Sequence, residues 1–217
     1  MRFCDSCLRG IPALSGALCR RCGAQFPSPR DPGHLCSHCM DRALYFRRAR
    51  ACATYFATEE KAGPLEKVLH RYKYGRDLSL AIVLGKVLAD RCPFPADGYD
   101  LIVPVPLHLE RLRWRGFNQA QLLAAELARR CRLRLNPFAL ERVRPTVPQV
   151  GLDAAARRRN VVGAFRVGDR TGIARRRVLL VDDVYTSGST TNECSRALRR
   201  AGAEVVDVLV LARAALS

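Results

Sequence analysis

Apolar and polar positions along this chain follow two periods in turn. Ala51–Ala57 reads as a strand, Asp100-Leu-Ile-Val-Pro-Val-Pro106 as an apolar run stopped by prolines, and Arg177–Asp183 and Glu204–Arg213 as two further apolar runs. Short apolar runs bounded by turn residues fit strands buried on both faces. Between them, Pro64–Tyr74 predicts a helix with proline in its first turn, and Leu78–Asp90 predicts a second. Gly116–Arg130 carries Phe117, Ala120, Leu123, Ala124 and Leu127 on one helical stripe, and Thr190–Arg200 predicts another helix. Strands alternating with helices of this length imply an α/β fold, a parallel, doubly wound sheet flanked by helices.

The first forty-five residues break this pattern. They hold few large apolar side chains and many Gly, Pro and Arg, with three Cys-x-x-Cys pairs at Cys4/Cys7, Cys19/Cys22 and Cys36/Cys39. Two thiolates two residues apart both reach one tetrahedral ion, so two pairs make a closed structural zinc site. Redox pairs fit less well, because no strand-helix-strand pattern surrounds them. Such a site contributes about 10–16 kcal/mol in isolated finger peptides, enough to fold a segment too poor in apolar residues to build its own core. Cys4, Cys7, Cys19 and Cys22 are the most local set, but three pairs exceed one ion's need and the spacing leaves the choice of four open. His34 and His38 lie close enough to substitute. The expected organisation is a zinc-ribbon-like module over residues 1–45 and an α/β domain over residues 50–217.

Composition narrows the class only a little. Among 217 residues, 48% are apolar and 26% charged, the balance of a globular protein. No apolar run approaches the roughly 18 residues of a membrane span, and no apolar leader opens the chain, so a cytoplasmic protein without a membrane segment is expected. The net charge of +17 attracts polyanions in general. It comes almost wholly from arginine, with lysine only at 61, 67, 73 and 86, a skew that a GC-rich genome produces as readily as selection for guanidinium.

The chemistry concentrates in Val178-Leu-Leu-Val-Asp182-Asp183-Val-Tyr185-Thr186-Ser187-Gly188-Ser189-Thr190-Thr191. A buried strand ends in two carboxylates, and a turn of small hydroxylated residues opens a helix. In open α/β sheets this edge binds ligands, and a turn leading into a helix amino terminus suits an anion. Thr190 and Glu193 fit a capping box that would set the helix start. A phosphate in the Thr186–Thr190 turn and ribose hydroxyls, or a hydrated cation, on Asp182 and Asp183 meet both demands. A ribose 5-phosphate combines them.

This segment resembles the phosphoribosyl pyrophosphate (PRPP) signature of type I phosphoribosyltransferases. With Val103-Pro104-Val-Pro-Leu107, Arg115-Gly-Phe-Asn118-Gln-Ala120, Gln149-Val-Gly-Leu152, Arg157-Arg-Arg-Asn160-Val161, Ala164-Phe165 and the amino-terminal cysteines, nearly the whole chain resembles the ComF family. That resemblance implies a type I phosphoribosyltransferase-like domain behind a zinc module, Mg²⁺ with PRPP, and a role in DNA uptake during natural transformation. Many family members carry four cysteine pairs. The catalytic candidates are Asp182, Asp183 and Arg115. Tyr185, Thr186, Ser187, Gly188, Ser189, Thr190, Lys73, Pro104, Arg111 and Asn118 are the substrate-binding candidates, with Asn118 alternatively a helix cap. Trp114 packs under the loop or stacks on a base. Arg130, Arg132, Arg158, Arg175 and Arg199 read as solvated charge. Purine-salvage relatives place an aspartate where this chain has Thr186, which is no general base at neutral pH. Two readings follow: a phosphoribosyltransferase of unknown acceptor, or a single-stranded-DNA-associated competence protein that senses PRPP or a nucleotide and works with the DNA-uptake machinery.

Overall fold

The structure is a computed structural model that describes residues 11–26, 33–55, 63–147 and 153–214. Cys4, Cys7 and the Gln149–Leu152 motif lie outside the described residues. Four parallel strands form the central sheet: β1 (Ala49–Tyr55), β6 (Val205–Ala214), β5 (Arg177–Tyr185) and β2 (Leu101–Pro104), in that spatial order. Val178 to Val181 of β5 and Val206 to Ala212 of β6 are all buried, because the sheet is covered on both faces.

One face carries three helices. Helix α2 (Pro64–Tyr74) starts with Glu66 accepting the Gly63 N–H at 2.8 Å, and it buries Leu65, Val68, Leu69 and Tyr72, the i, i+3, i+4, i+7 stripe. Helices α3 (Ser79–Asp90) and α5 (Gln119–Cys131) complete that layer, with Leu84, Leu88, Leu123 and Leu127 in its core. The opposite face is covered by α7 (Ser189–Arg200), by a small antiparallel pair, β3 (Leu140–Arg142) and β4 (Phe165–Val167), and by the cysteine segment. Cys19, Cys22 and Cys39 share one core with Val208 and Val210, so the knuckle is packed onto the sheet.

The pattern-based elements agree with these bounds to within a few residues. Three helices have no counterpart in it: α1 (Ser37–Met40), α4 (Leu109–Arg115) and α6 (Ala154–Val161), along with the β3–β4 pair. Each is short, and α6 has no apolar face to betray it. The helix expected from Gly116 starts instead at Gln119. Gly116, at φ +86°, ends α4 in a left-handed turn, and Asn118 then caps α5 by accepting the Ala120 and Gln121 N–H groups at 3.0 and 3.4 Å.

Candidate functional site

The carboxyl ends of β5 and β2, with α2 and α4, enclose a cavity of about 490 Å³. Asp182 and Asp183 border it where β5 runs out. Asp183 meets Lys73 of α2, whose Nζ lies 2.9 Å from Oδ2, and Asp182 feels Lys73 and the Arg142 guanidinium of β3. Asp183 is only 5% exposed. Asp182 borders the cavity with its carboxyl closely surrounded by protein. That burial, reinforced by the charge of Asp183, pushes its pKa up to about 8, against one backbone N–H from Asp183 at 2.9 Å.

Cationic groups surround the pair. Arg115 at the end of α4 is 4% exposed, lies 5.5 Å above the Tyr74 ring, and leaves its Nε without a hydrogen-bond partner. Burial lowers its pKa, with Asp183 opposing. Arg111, one helical turn earlier, borders the same cavity, as do Lys73, Asn118, Thr186 and Thr190. Asn118 is the expected helix cap and also borders the cavity. Its Oδ1 caps α5 while its Nδ2 donates to the Val105 carbonyl at 3.0 Å, tying the cap to the chain leaving β2. Trp114 is 58% exposed and meets Tyr74 edge-on at 6.4 Å; it packs under no loop.

Other candidates are placed differently. Tyr185 is buried in the core of the knuckle-covered face. Its ring meets Phe46 edge-on at 6.5 Å and lies under the Arg213 guanidinium at 4.5 Å. It supports the turn from beneath: a Cβ on Gly188 would fall 2.1 Å from the Tyr185 hydroxyl, and Gly188 has φ +71°. Ser187, Gly188 and Ser189 form the turn between the two cavity-lining threonines, with Ser187 Oγ and Ser189 Oγ 2.9 Å apart. Pro104 is buried at the end of β2, while its neighbours Val105, Pro106 and Leu107 border the cavity. The expected capping box is corrected. Helix α7 starts at Ser189 on Gly188, and Glu193 accepts the Gly163 N–H at 2.7 Å and pairs with Arg196. A glycine that enters α7 in the left-handed region leaves Thr190 already inside the first turn.

A second cluster joins Cys19, Cys22, Cys36 and Cys39, whose sulfurs all lie within 4.8 Å of one another. The local set of Cys4, Cys7, Cys19 and Cys22 is not the one brought together among the described residues, because the second and third pairs face each other across the turn at Gly23 and helix α1. The Cys36 N–H points at Cys19 Sγ at 3.4 Å, and Arg213 donates to the Cys22 carbonyl at 2.9 Å. The Cys22 thiol is pulled down to about 4 by the Cys39 thiol and, against its burial, by Arg213. Four sulfur donors at this spacing fit zinc, with charge compensation from N–H and guanidinium groups. His38 is not in the cluster; its Nε2 lies 3.3 Å from the Ser187 carbonyl.

The model of the phosphoribosyl transferase domain matches residues 115–215, the stretch holding Arg115, Asn118 and the whole Asp182–Thr190 turn. The DNA utilization protein YhgH of Escherichia coli O6:H1 is 34% identical over 97% of this chain and 90% of its own length. Competence protein F of Haemophilus influenzae is 32% identical over 97% of this chain and 96% of its own. The chain belongs to the ComF family. Competence protein ComFC of Bacillus subtilis is a more distant member, 25% identical over 93% of this chain and 79% of its own.

Sequence reasoning missed several cavity residues of this ComF protein: Arg142, Gln119, His70, Tyr74 and Tyr55. Arg142 comes from β3, too short to read as a strand, and burial lowers its pKa. Gln119 lay inside the quoted motif and keeps a buried Oε1 without a partner. The acid pair also fits a divalent cation. Mg²⁺ is held by one or two carboxylates together with substrate phosphates, and both aspartates border the cavity. No helix among the described residues is long and apolar enough to cross a membrane.

Proposed function

We propose that this cavity binds PRPP or another phosphoribosyl group with Mg²⁺, and that the protein acts in the cytoplasm in DNA uptake and natural transformation. One observation carries the reading. Two carboxylates, the threonines at both ends of a hydroxylated turn, and four arginines border a single cavity at the carboxyl edge of a parallel sheet. The turn's N–H groups and hydroxyls suit the 5′-phosphate, and Asp182 and Asp183 suit the ribose hydroxyls or the cation. Arg111, Arg115 and Arg142 suit the pyrophosphate. When bound, Mg²⁺ would neutralise the pyrophosphate as it leaves. Residues 1–45 then form the zinc module and 50–217 the phosphoribosyltransferase-like domain.

Binding is better supported than transfer. Asp182 and Asp183 are the only carboxylates lining the cavity among the described residues, and Thr186 occupies the place of a base. This favours the reading in which the pocket senses PRPP or a nucleotide and the basic surface meets single-stranded DNA. Calorimetric titration with PRPP and Mg²⁺, with and without candidate bases, tests it. Binding that Asp182→Ala weakens at least tenfold supports the phosphoribosyl site, and absence of heat for the wild type refutes it. Conversion of labelled PRPP, lost in the same variant, would instead make the protein a transferase. Salt-dependent single-stranded-DNA binding retained by Asp182→Ala would place DNA on separate residues.

A further inference from the structure

The turn that faces the phosphate is held from behind by the cysteine knuckle. Helix α1 carries His38 between Cys36 and Cys39, and Arg42 follows two residues after α1 ends. Arg42 Nη1 donates to the Ser187 carbonyl at 3.0 Å, and the His38 ring nitrogen approaches the same oxygen at 3.3 Å. Just beyond, Asn192 in the first turn of α7 donates to the Ala43 carbonyl at 3.2 Å and accepts the Tyr45 N–H at 2.8 Å. Phe46 then supports Tyr185, the ring beneath Gly188. The segment from 38 to 46 thus grips the turn, the start of α7 and the floor in succession.

Peptide geometry gives this grip a direction. In a trans peptide the C=O of one residue and the N–H of the next point to opposite sides of the plane, and no cis peptide occurs among the described residues. Fixing the Ser187 carbonyl toward Arg42 and His38 turns the Gly188 N–H away from the knuckle. That N–H donates no hydrogen bond among the described residues, and Thr186 and Thr190 on either side of it border the aspartate cavity. We infer that Arg42 is a positioning residue for the phosphate of a phosphorylated sugar, and that the zinc knuckle thereby sets the affinity of the cavity. This rests on the phosphoribosyl reading above. Because coupling is reciprocal, a phosphorylated ligand also tightens the hold of the knuckle on its metal.

Ribose 5-phosphate is the probe, titrated calorimetrically into wild type, Arg42→Lys and Arg42→Met at low and high salt, with bound zinc assayed on each sample. The expected result is binding about tenfold weaker in Arg42→Met, persisting at high salt, with zinc unchanged and Arg42→Lys within about threefold of wild type. The ligand-induced shift of the Gly188 amide proton should shrink in Arg42→Met and return in Arg42→Lys. Equal affinities in all three proteins overturn the inference and leave the phosphoribosyl site standing. A loss that vanishes at high salt overturns it in favour of through-space charge, and loss of zinc with affinity assigns Arg42 to the metal site. Failure of the wild type to bind ribose 5-phosphate refutes the underlying reading, and the inference with it.

Discussion

Gly188→Ala probes how the turn is built. At φ +71° an L-residue pays a backbone cost of about 1–2 kcal/mol. The added Cβ would lie 2.1 Å from the Tyr185 hydroxyl oxygen, 2.3 Å from Cζ and 2.9 Å from Cε2, so the ring itself must move. It has nowhere to go, being 2% exposed and bounded by Phe46 and Arg213. Overpacking of this kind costs about 1–3 kcal/mol. The two contributions together predict a loss of about 2–5 kcal/mol in urea unfolding. A double-mutant cycle separates them: Tyr185→Ala removes the obstacle, so Gly188→Ala in that background should cost only the backbone share. The coupling energy should then be about 1–3 kcal/mol. A single variant within about 0.5 kcal/mol of wild type, or additive effects in the cycle, would refute the account of Tyr185 as the floor of the turn.

Other outcomes follow from the same geometry. The Asp182 carboxyl is raised in the folded protein from the ordinary range to about 8, so its contribution to stability is full below about pH 4 and lost as pH rises through 8. Asp182→Asn should flatten that part of the pH–stability profile measured by urea midpoints, and an unchanged slope would contradict the burial argument. Lys73→Met strands the buried Asp183 carboxylate and should cost about 3 kcal/mol in the same assay, the low end for breaking a buried pair; a change below about 1 kcal/mol would mean water solvates Asp183. Cys36→Ser should remove bound zinc and lower the melting temperature, with metal content read by atomic absorption. Zinc retained at full stoichiometry would show that Cys36 is not a ligand.

The sheet and its main helices were legible because burial on both faces leaves an unmistakable apolar run, as in Val178–Val181, and because α2 and α5 repeat their apolar residues at helical spacing. The acidic pair and the hydroxylated turn were legible for a related reason. They are contiguous, so the end of β5 carries them to the ligand edge whatever surrounds it. Asn118 announced its cap by residue type and place.

What chain order does not encode had to come from packing. Contiguity cannot say which four of six cysteines meet; that depends on the chain reversal at Gly23 and on α1 docking beside it. Tyr185 sits within the motif but in the opposite core, a matter of which way a strand-end side chain turns against Phe46 and Arg213. Arg142 joins the cavity from a three-residue strand with too little periodicity to register, and Arg42 reaches Ser187 across 145 residues of chain. The sequence by itself determined the layers of the fold and the residue types at the sheet's ligand edge, because both are local consequences of periodicity and order. Only the tertiary structure decided the charge environment of those acids and the hold of the knuckle on the turn, because burial and long-range contact arise when distant segments pack together.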